Sequence, residues 1–251
     1  MIDILRHNYR KAKSGYQKLK FYYSINWTKT LYFNFKKLPF NTAKKLPVFF
    51  YGSVKFTSII GKIEIEGNIK KGMIGFGQAY EMNTRHKGIA EIIIAGKIVF
   101  KGHVQFGKDY FVFVSENGVC EMGHMSSLAS NGKLICVEKI VLADYARLGS
   151  ESQIIDTNFH QMFDTETREK FKITAPIFIG SHNYIGNRVS IMQNTSTPNY
   201  CTIASNSLCN KDYTSLGENI LIGGIPAKLI RTNISRDWEG ENENLEQLLT
   251  F

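Results

Sequence analysis

The sequence has no uninterrupted apolar run near the length that crosses a bilayer. A transmembrane helix needs about 20 predominantly apolar residues, and no apolar segment in these 251 residues reaches that length. No signal-peptide pattern, with a charged start and a short apolar stretch, opens the chain either. We therefore expect a cytoplasmic protein whose contact with a membrane, if it makes one, is peripheral to the inner face.

Cysteine is also sparse, with four residues in the chain. They are Cys120, Cys136, Cys201 and Cys209. No two of them have the spacing of a CxxC pair, which is typical of redox motifs and many zinc sites. In a reducing compartment, free cysteine behaves as a small apolar residue. We therefore expect buried free thiols.

Acidic side chains are almost absent from the first fifty residues. Asp3 is the only acid in this segment, which holds eleven Lys and Arg residues and carries a formal charge of +10. The remainder of the chain holds 20 basic and 21 acidic side chains, for a net charge of −1. The positive charge of the chain therefore belongs to one end, and that end is also rich in aromatic residues.

The sequence does contain a six-residue repeat between positions 177 and 212. The segment divides into the units IFIGSH, NYIGNR, VSIMQN, TSTPNY, CTIASN and SLCNKD. The third positions hold Ile179, Ile185, Ile191, Thr197, Ile203 and Cys209. A period of six fits neither a helix nor an ordinary strand. It is typical of a triangular coil with one short strand per side, in which the third positions stack into a continuous core.

The spacing continues upstream of this segment. Residues six apart are Cys136, Leu142, Leu148 and Ile154, then His160, and earlier Ile92, Ile98, Val104 and Tyr110. The phase resumes at Ile173, nineteen residues after Ile154, so we predict a small insertion in Asp164–Lys172. Interruptions that contain glycine predict wider coils near the start. We assign the repeat to residues 55–222.

A short unit flanks the repeat on each side. Residues 1–54 form a basic aromatic arm or cap, with a helix over 2–20 and a strand over Leu31–Phe35. The charge of this arm favours contact with an anionic membrane, a cap over the end of the coil, or both. Nucleic acid is not expected, because no recognition motif accompanies the charge. Residues 223–251 form a closing loop and a tail with an amphipathic helical pattern.

Two short segments add to the hexads: Asp156-Thr-Asn-Phe-His160 and Gly224-Ile-Pro-Ala-Lys228. Over about residues 140–232 the chain resembles the hexapeptide-repeat acyltransferases. Within them it is most similar to O-acetyltransferases of the galactoside or maltose type and to those of capsule, exopolysaccharide and O-antigen assembly. The resemblance implies an all-β fold, a left-handed parallel β-helix, and acetyl transfer from acetyl-CoA to a sugar hydroxyl. The hand of the coil comes from the resemblance alone.

The resemblance also implies a catalytic base. In the family a His on the loop-bearing coil removes the proton from the acceptor hydroxyl, and His160 matches it; imidazole titrates near neutral pH and suits that role. Asp156 and Asn158 match an Asp-x-Asp/Asn-x-His pattern, and either would orient the ring, with Asp156 also stabilising the imidazolium. The six histidines show no spacing like the zinc ligands of γ-type carbonic anhydrases, which use the same coil. We therefore expect no metal.

The donor site is carried over in the same way. Positions that contact CoA in the family correspond to Tyr184, Asn187, Ser205, Asn210, Lys211, Lys228 and Arg231. The three cations would bind the phosphates of CoA, and the Asn and Ser residues would lie along the pantetheine arm. Tyr184 replaces the usual Trp. The family places its active site between neighbouring coils of a trimer, so we expect a homotrimer.

Two other functions stay open from the sequence. One is N-acetylation of a nucleotide-linked amino sugar, although enzymes of that kind usually carry a separate nucleotide-binding domain at the N-terminus. The other is a trimeric β-helix scaffold without catalysis, which predicts no affinity for CoA. For the O-acetyltransferase, the basic arm suggests a saccharide acceptor that is linked to lipid and held near the membrane.

Overall fold

The structure is a computed structural model that describes residues 22–78, 88–241 and 245. The predicted helix over 2–20 lies outside the described residues. Within these residues, no helix is long and apolar enough to span a membrane.

Strands dominate the fold, and helices are confined to its ends. The helices are α1 (Trp27–Lys37), α2 (Phe40–Ala43) and a 3-10 turn, Thr214–Leu216. The strands of the first half are β1 (Val48–Phe50), β2 (Val54–Ser58), β3 (Lys62–Ile65), β4 (Ile74–Phe76), β5 (Ala90–Ile94), β6 (Lys97–Phe100), β7 (Val104–Phe106), β8 (Phe111–Val114), β9 (Val119–Met122), β10 (Ser126–Leu128) and β11 (Lys133–Cys136). The strands of the second half are β12 (Lys139–Leu142), β13 (Arg147–Leu148), β14 (Gln153–Ile155), β15 (Ile177–Ile179), β16 (Tyr184–Ile185), β17 (Ser190–Met192), β18 (Cys201–Ile203), β19 (Leu208–Cys209), β20 (Ile220–Gly224) and β21 (Ala227–Thr232).

The strands form three sheets, and the chain visits the sheets in rotation. Sheet A has the order β1-β4-β7-β10-β13-β16-β18-β20-β21, sheet B the order β2-β5-β8-β11-β14-β17-β19, and sheet C the order β3-β6-β9-β12-β15. Neighbouring strands are parallel, except that β21 folds back antiparallel to β20. A chain that lays one strand on each of three faces before it returns to the first is a three-sided parallel β-helix. This architecture matches the predicted left-handed parallel β-helix.

The interior of the coil is the predicted stack of inward residues. All six third positions of the hexads between 177 and 212 are buried, and so are the four predicted positions from Cys136 to Ile154 and the four from Ile92 to Tyr110. Near the start of the coil the stack becomes aromatic. The ring of Phe76 lies parallel to that of Phe50 at 5.0 Å between centroids and to that of Phe106 at 4.2 Å. These rings occupy paired positions in β1, β4 and β7.

Coils near the start take up more residues than the last coils, as predicted. Ile74 in β4 pairs with Val104, thirty residues later, whereas Tyr184 in β16 pairs with Thr202, eighteen residues later. The phase predicted at Ile173 and His160 is wrong, because both residues lie in a loop over 156–176 with exposed side chains. The insertion is also larger than predicted, since it fills the whole interval between β14 and β15.

Helix α1 closes the first coil, and the strand predicted for Leu31–Phe35 is wrong because these residues lie within α1. The buried Asn34 side chain donates to the Val48 carbonyl (2.7 Å) and accepts from the Val48 N–H (3.2 Å). The Thr30 hydroxyl accepts from the Phe50 N–H (3.0 Å). An exposed strand edge invites pairing with other chains. Here side chains of α1 bond the open edge of β1.

The C-terminal tail returns to the side of the coil. Helical residues begin at Trp238, whose buried indole packs with Met125 and Tyr145. The described part of the tail therefore lies against middle and late coils, at the corner between sheets C and A.

Candidate functional site

The loop 156–176 leaves the coil at the corner between sheets B and C, which we call the BC corner. Backbone pairing between Thr157 and Thr174 closes its neck, and Phe163 pairs with Lys170 further out. The Asp164 carboxylate accepts the N–H groups of Glu166 and Thr167 at 2.8 Å and so shapes the tip. The insertion is therefore an ordered excursion built on local hydrogen bonds.

His160 lies near the neck of this loop. Thr157 accepts the Phe159 N–H at 2.9 Å, and Phe159 takes a left-handed φ of 58°. This turn presents His160 with an exposed side chain, and no described residue hydrogen-bonds to its imidazole. The ring is therefore open to solvent. Exposed Asn158 contributes its backbone N–H to the neck, where it bonds the Ile173 carbonyl.

Asp156 is fully buried at the foot of the loop. Its carboxylate accepts the N–H groups of Val137 (2.7 Å) and Glu138 (2.8 Å), which form the BC corner of the preceding coil. Burial raises the pKa of the Asp156 carboxyl, and these backbone donors oppose the rise. Asp156 thus ties the loop to the coil beneath it. Among the described residues, its carboxylate accepts no hydrogen bond from His160.

The other predicted residues of the BC corner lie further along the coil. Asn210 and Lys211 follow β19, at the same corner as His160 but two coils later. Both side chains are exposed, and the Lys211 ammonium lies 5.5 Å from the centroid of the Tyr213 ring. The cation therefore stands on the same edge of the prism as the loop.

Asn187 and Ser205 lie on a different edge, the corner between sheets A and B, which we call the AB corner. The Asn187 side chain accepts the Ser150 N–H at 3.0 Å, and the Ser205 hydroxyl accepts the Asn187 N–H at 3.1 Å. These two side chains link three successive coils, and both remain exposed.

Tyr184 lies on the outer face of sheet A and lines a surface hollow. The guanidinium of Arg236 lies 5.3 Å from the centroid of the Tyr184 ring and 4.8 Å from that of Trp238. Arg236 is also paired with Glu241. The hollow has a volume of about 440 Å³, and its lining is Tyr184, Thr202, Ile234, Ser235, Arg236 and Glu241. Sequence reasoning missed the tail residues of this hollow, because no motif in 234–241 signals where the tail docks.

Lys228 and Arg231 lie on β21 at the open edge of sheet A. Arg231 pairs with Leu221 and Lys228 with Gly223, so both cations sit at the last coil. Their side chains are exposed. The hairpin between β20 and β21 holds the Ile225–Pro226 peptide bond, which is cis. This hairpin presents the two cations beside the end of the AB corner.

The predicted site residues thus fall into two groups on one protomer. The first group follows the BC corner and holds the predicted catalytic residues with Asn210 and Lys211. The second follows sheet A and the AB corner and holds Tyr184, Asn187, Ser205 and the β21 cations. No group of three or more His, Cys, Asp or Glu side chains able to hold a metal occurs in residues 22–78 and 88–241.

Comparison with models of protein families finds no match, and no curated protein matches the chain. Among solved structures, the polySia-specific acetyltransferase NeuO is 15% identical, with a TM-score of 0.49, over 80% of this chain and 92% of that one. The hexapeptide-repeat acetyltransferase VCA0836 of Vibrio cholerae O1 biovar eltor, solved with acetyl coenzyme A, is 22% identical, with a TM-score of 0.41, over 49% and 64% of the two chains.

A third structure is the N-acyltransferase AntD of Bacillus cereus, solved with dTDP and 3-hydroxybutyryl-CoA. It is 13% identical, with a TM-score of 0.44, over 80% of this chain and 88% of that one. At these identities and TM-scores the three structures carry no argument about function. The function is argued from the residues of this chain.

Proposed function

We propose that this protein is a hexapeptide-repeat acyltransferase that transfers an acetyl group from acetyl-CoA to a hydroxyl of a saccharide. The observation that carries the proposal is the exposed imidazole of His160, held by an ordered turn at the neck of loop 156–176. An exposed imidazole held by a turn is placed to accept a proton from a bound hydroxyl. The match of residues 156–160 to the Asp-x-Asp/Asn-x-His pattern supports the same role.

In this mechanism His160 accepts the proton of the acceptor hydroxyl as that oxygen attacks the thioester carbonyl carbon. The carbon–sulfur bond then breaks, the acetyl ester forms, and the sulfur of CoA takes the proton from the imidazolium. Asp156 holds the turn that carries His160, because its carboxylate anchors the foot of the loop. Asn158 is the residue left to orient the ring, since the Asp156 oxygens already accept two backbone N–H groups.

The donor would contact residues of both groups, with Asn210 and Lys211 at the BC corner and the others on sheet A and the AB corner. Lys228, Arg231 and Lys211 supply fixed cations for the phosphates of CoA. Asn187, Ser205 and Asn210 mark the path of the pantetheine arm, and Tyr184 offers an aromatic face beside it.

The separation of the two groups supports a homotrimer. The His160 loop and the AB corner occupy different edges of one triangular prism. Sheet B ends at both corners, so a threefold arrangement with sheet B toward the axis would set the BC corner of one protomer against the AB corner of the next. We therefore propose that each active site is shared by two protomers. Light scattering that shows a stable monomer at micromolar concentration would contradict the shared site.

The acceptor is proposed to be a saccharide of capsule, exopolysaccharide or O-antigen assembly, at the inner face of the membrane. The exposed Phe159, Met162 and Phe171 of the loop offer apolar surfaces on which sugar rings can stack. Transfer to an amino group of a nucleotide-linked sugar is the second candidate. A hydroxyl acceptor is favoured because the described residues form the coil and its caps without a separate nucleotide-binding domain.

The test is calorimetric titration with acetyl-CoA, followed by assay of free CoA with a panel of saccharides. Lys228→Gln/Arg231→Gln should weaken acetyl-CoA binding at least tenfold, about 1.4 kcal/mol. Lys133→Gln, an exposed lysine at the start of β11, is the matched control and should leave binding unchanged. His160→Ala should keep acetyl-CoA affinity and lose 10²- to 10⁴-fold in turnover, roughly the usual contribution of a general base.

Absence of acetyl-CoA binding in the wild type would favour the non-catalytic scaffold. Full turnover in His160→Ala, with acetyl-CoA binding intact, would show an acyltransferase that uses another base.

A further inference from the structure

Helix α1 carries large apolar side chains on its outward face as well as its inward one. Phe33 points inward and is completely buried against the first coil. Trp27, Leu31 and Phe35 follow one another at intervals of four residues and are exposed. Such spacing places three side chains on one stripe of a helix. A helix that only caps a coil is expected to present polar residues to solvent, so this stripe calls for a partner.

The apolar stripe continues beyond both ends of α1. Tyr23, before the helix, is 85% exposed, and Phe40, at the start of α2, is 71% exposed. The Phe40 ring lies 6.1 Å from the Phe35 ring, so the two helices share one surface. We call the surface formed by Tyr23, Trp27, Leu31, Tyr32, Phe35 and Phe40 the end face. Scattered apolar residues are normal on a surface, but a contiguous patch marks an interaction site.

The segment that carries the end face holds charge of a single sign. Positions 4–63 hold no Asp or Glu. The lysines of α1 and its continuation are Lys29, Lys36, Lys37, Lys44 and Lys45. Burial, together with the positive charge of neighbouring Lys36, lowers the pKa of Lys37. These cations repel one another, and an anionic partner would relieve the repulsion.

We propose that the end face is the docking surface for an anionic lipid bilayer. Its aromatic and leucine side chains enter the boundary between headgroups and acyl chains, and the lysines pair with the anionic headgroups. Aromatic and leucine residues flanked by lysines are the composition of helices that lie in a membrane interface. The inference deepens the membrane contact proposed above by naming its surface, and it does not depend on acyl transfer.

A second copy of the chain is a poorer occupant of this surface. A twofold contact through the end face would set the same five lysines against each other. The segment holds no acid between positions 4 and 63. Glu64 and Glu66 share a hollow with Lys36 and Lys37, but Glu64 is already paired with Lys62 and Lys97. Like-charge contact of this kind costs free energy. Contact of the same lysines with an anionic bilayer is favourable.

This docking sets the height of loop 156–176 above the bilayer. In sheet B, four strand-to-strand steps separate β2, near the end face, from β14, which leads into the loop. Strands lie about 4.8 Å apart, so the loop stands roughly 20 Å from the first coil. That distance suits a headgroup that projects several sugar units from the membrane.

The test is co-sedimentation of the full chain with two kinds of vesicle. One is phosphatidylcholine alone, and the other contains about one anionic phosphatidylglycerol for every two phosphatidylcholines. We expect binding to the anionic vesicles, and at least tenfold weaker binding for Leu31→Glu/Phe35→Glu. Leu216→Glu, an exposed apolar position at the opposite end of the coil, is the matched control and should bind as the wild type. Circular dichroism of each variant reports its folding, and titration with acetyl-CoA reports donor binding.

The two tryptophans provide an independent reading of the orientation. Trp238→Phe leaves Trp27 on the end face, and its emission should shift to the blue with anionic vesicles and be quenched by brominated lipid. Trp27→Phe leaves the buried Trp238, whose emission should not respond. Unchanged binding of Leu31→Glu/Phe35→Glu, or no response of Trp27 in a protein that binds vesicles, would overturn the proposal. A change in oligomeric state on this double substitution, without vesicle binding by the wild type, would assign the end face to a second copy.

Discussion

The imidazole of His182 lies face to face with the phenol ring of Tyr145, at 4.8 Å between centroids and 11° between planes. Tyr200 covers the other face of the imidazole at the same distance, and Trp238 meets its edge at 5.5 Å. His182, Tyr145 and Tyr200 occupy successive turns of the corner between sheets C and A, each with a left-handed φ. This aromatic column joins three coils to the C-terminal tail.

The column makes a pH dependence of stability predictable. Burial lowers the pKa of His182, and the charge of Asp144 only partly opposes this. The unfolded chain therefore takes up the proton more readily than the folded one, and stability falls as pH drops through the unfolded value of about 6.5. His182→Tyr keeps a stacked ring of the kind found at Tyr145 and Tyr200 but removes this titration.

Urea unfolding at pH 7.5 and pH 5.5 tests the point. The wild type should lose more free energy of unfolding than His182→Tyr between the two pH values. Equal losses in the two proteins would mean that His182 titrates alike in the folded and unfolded states.

Asn34 should be among the polar side chains most needed for stability. It is completely buried, bonds both backbone groups of Val48 and donates to the Thr30 carbonyl at 2.7 Å. Asn34→Ala leaves buried backbone groups unpaired, and we expect a loss of about 2–4 kcal/mol in the free energy of unfolding. Thr28→Ala, at an exposed position of the same helix, should change it by less than about 0.5 kcal/mol. Similar small effects of both substitutions would show that water can replace the Asn34 amide.

Position 180 should not accept a side chain larger than that of glycine, although the φ of Gly180 is not in the left-handed region. A Cβ at this position would lie 2.5 Å from the Pro198 carbonyl oxygen, which belongs to the backbone of the next coil. Gly180→Ala should therefore destabilise by about 2 kcal/mol. Ala204, at the same position of a later hexad, already fits a Cβ, and Ala204→Gly should cost less than about 1 kcal/mol. Thermal unfolding of both proteins decides the matter, and a Gly180→Ala protein as stable as the wild type would be incompatible with this coil spacing.

The four cysteines should react only when the coil opens. All are buried free thiols. Burial raises the pKa of Cys201 and of Cys209 to about 12, so little thiolate forms near neutral pH. Since the thiolate is the reactive form, we expect almost no reaction with a disulfide reagent at pH 8 and four equivalents in denaturant. Fast titration of one thiol in the folded protein would contradict the burial described for it.

The sequence predicted the coil well where one physical rule governs it. Positions such as Ile179 and Ile203 face the axis, only apolar or small side chains fit there, and the period of six follows. The same rule misplaced His160 and Ile173, because the count of six has no meaning inside a loop that leaves the coil. Alternation of side chains predicts a strand at Leu31–Phe35, but the side-chain bonds of Thr30 and Asn34 to β1 favour a helix there. The docking of Arg236 and Trp238 depends on tertiary contacts that carry no local signal.

The neck of loop 156–176 has a consequence for how this chain can change over time. Leu142 pairs with Ile179 in sheet C as in a coil without an insertion, and Thr157 lies opposite Thr174 where the loop starts and ends. The strand pairing of the coil thus does not depend on the length or sequence of the segment between those two threonines. The residues of the loop and the residues of the coil lie in separate stretches of sequence. The loop can therefore diverge in evolution while the coil keeps its structure.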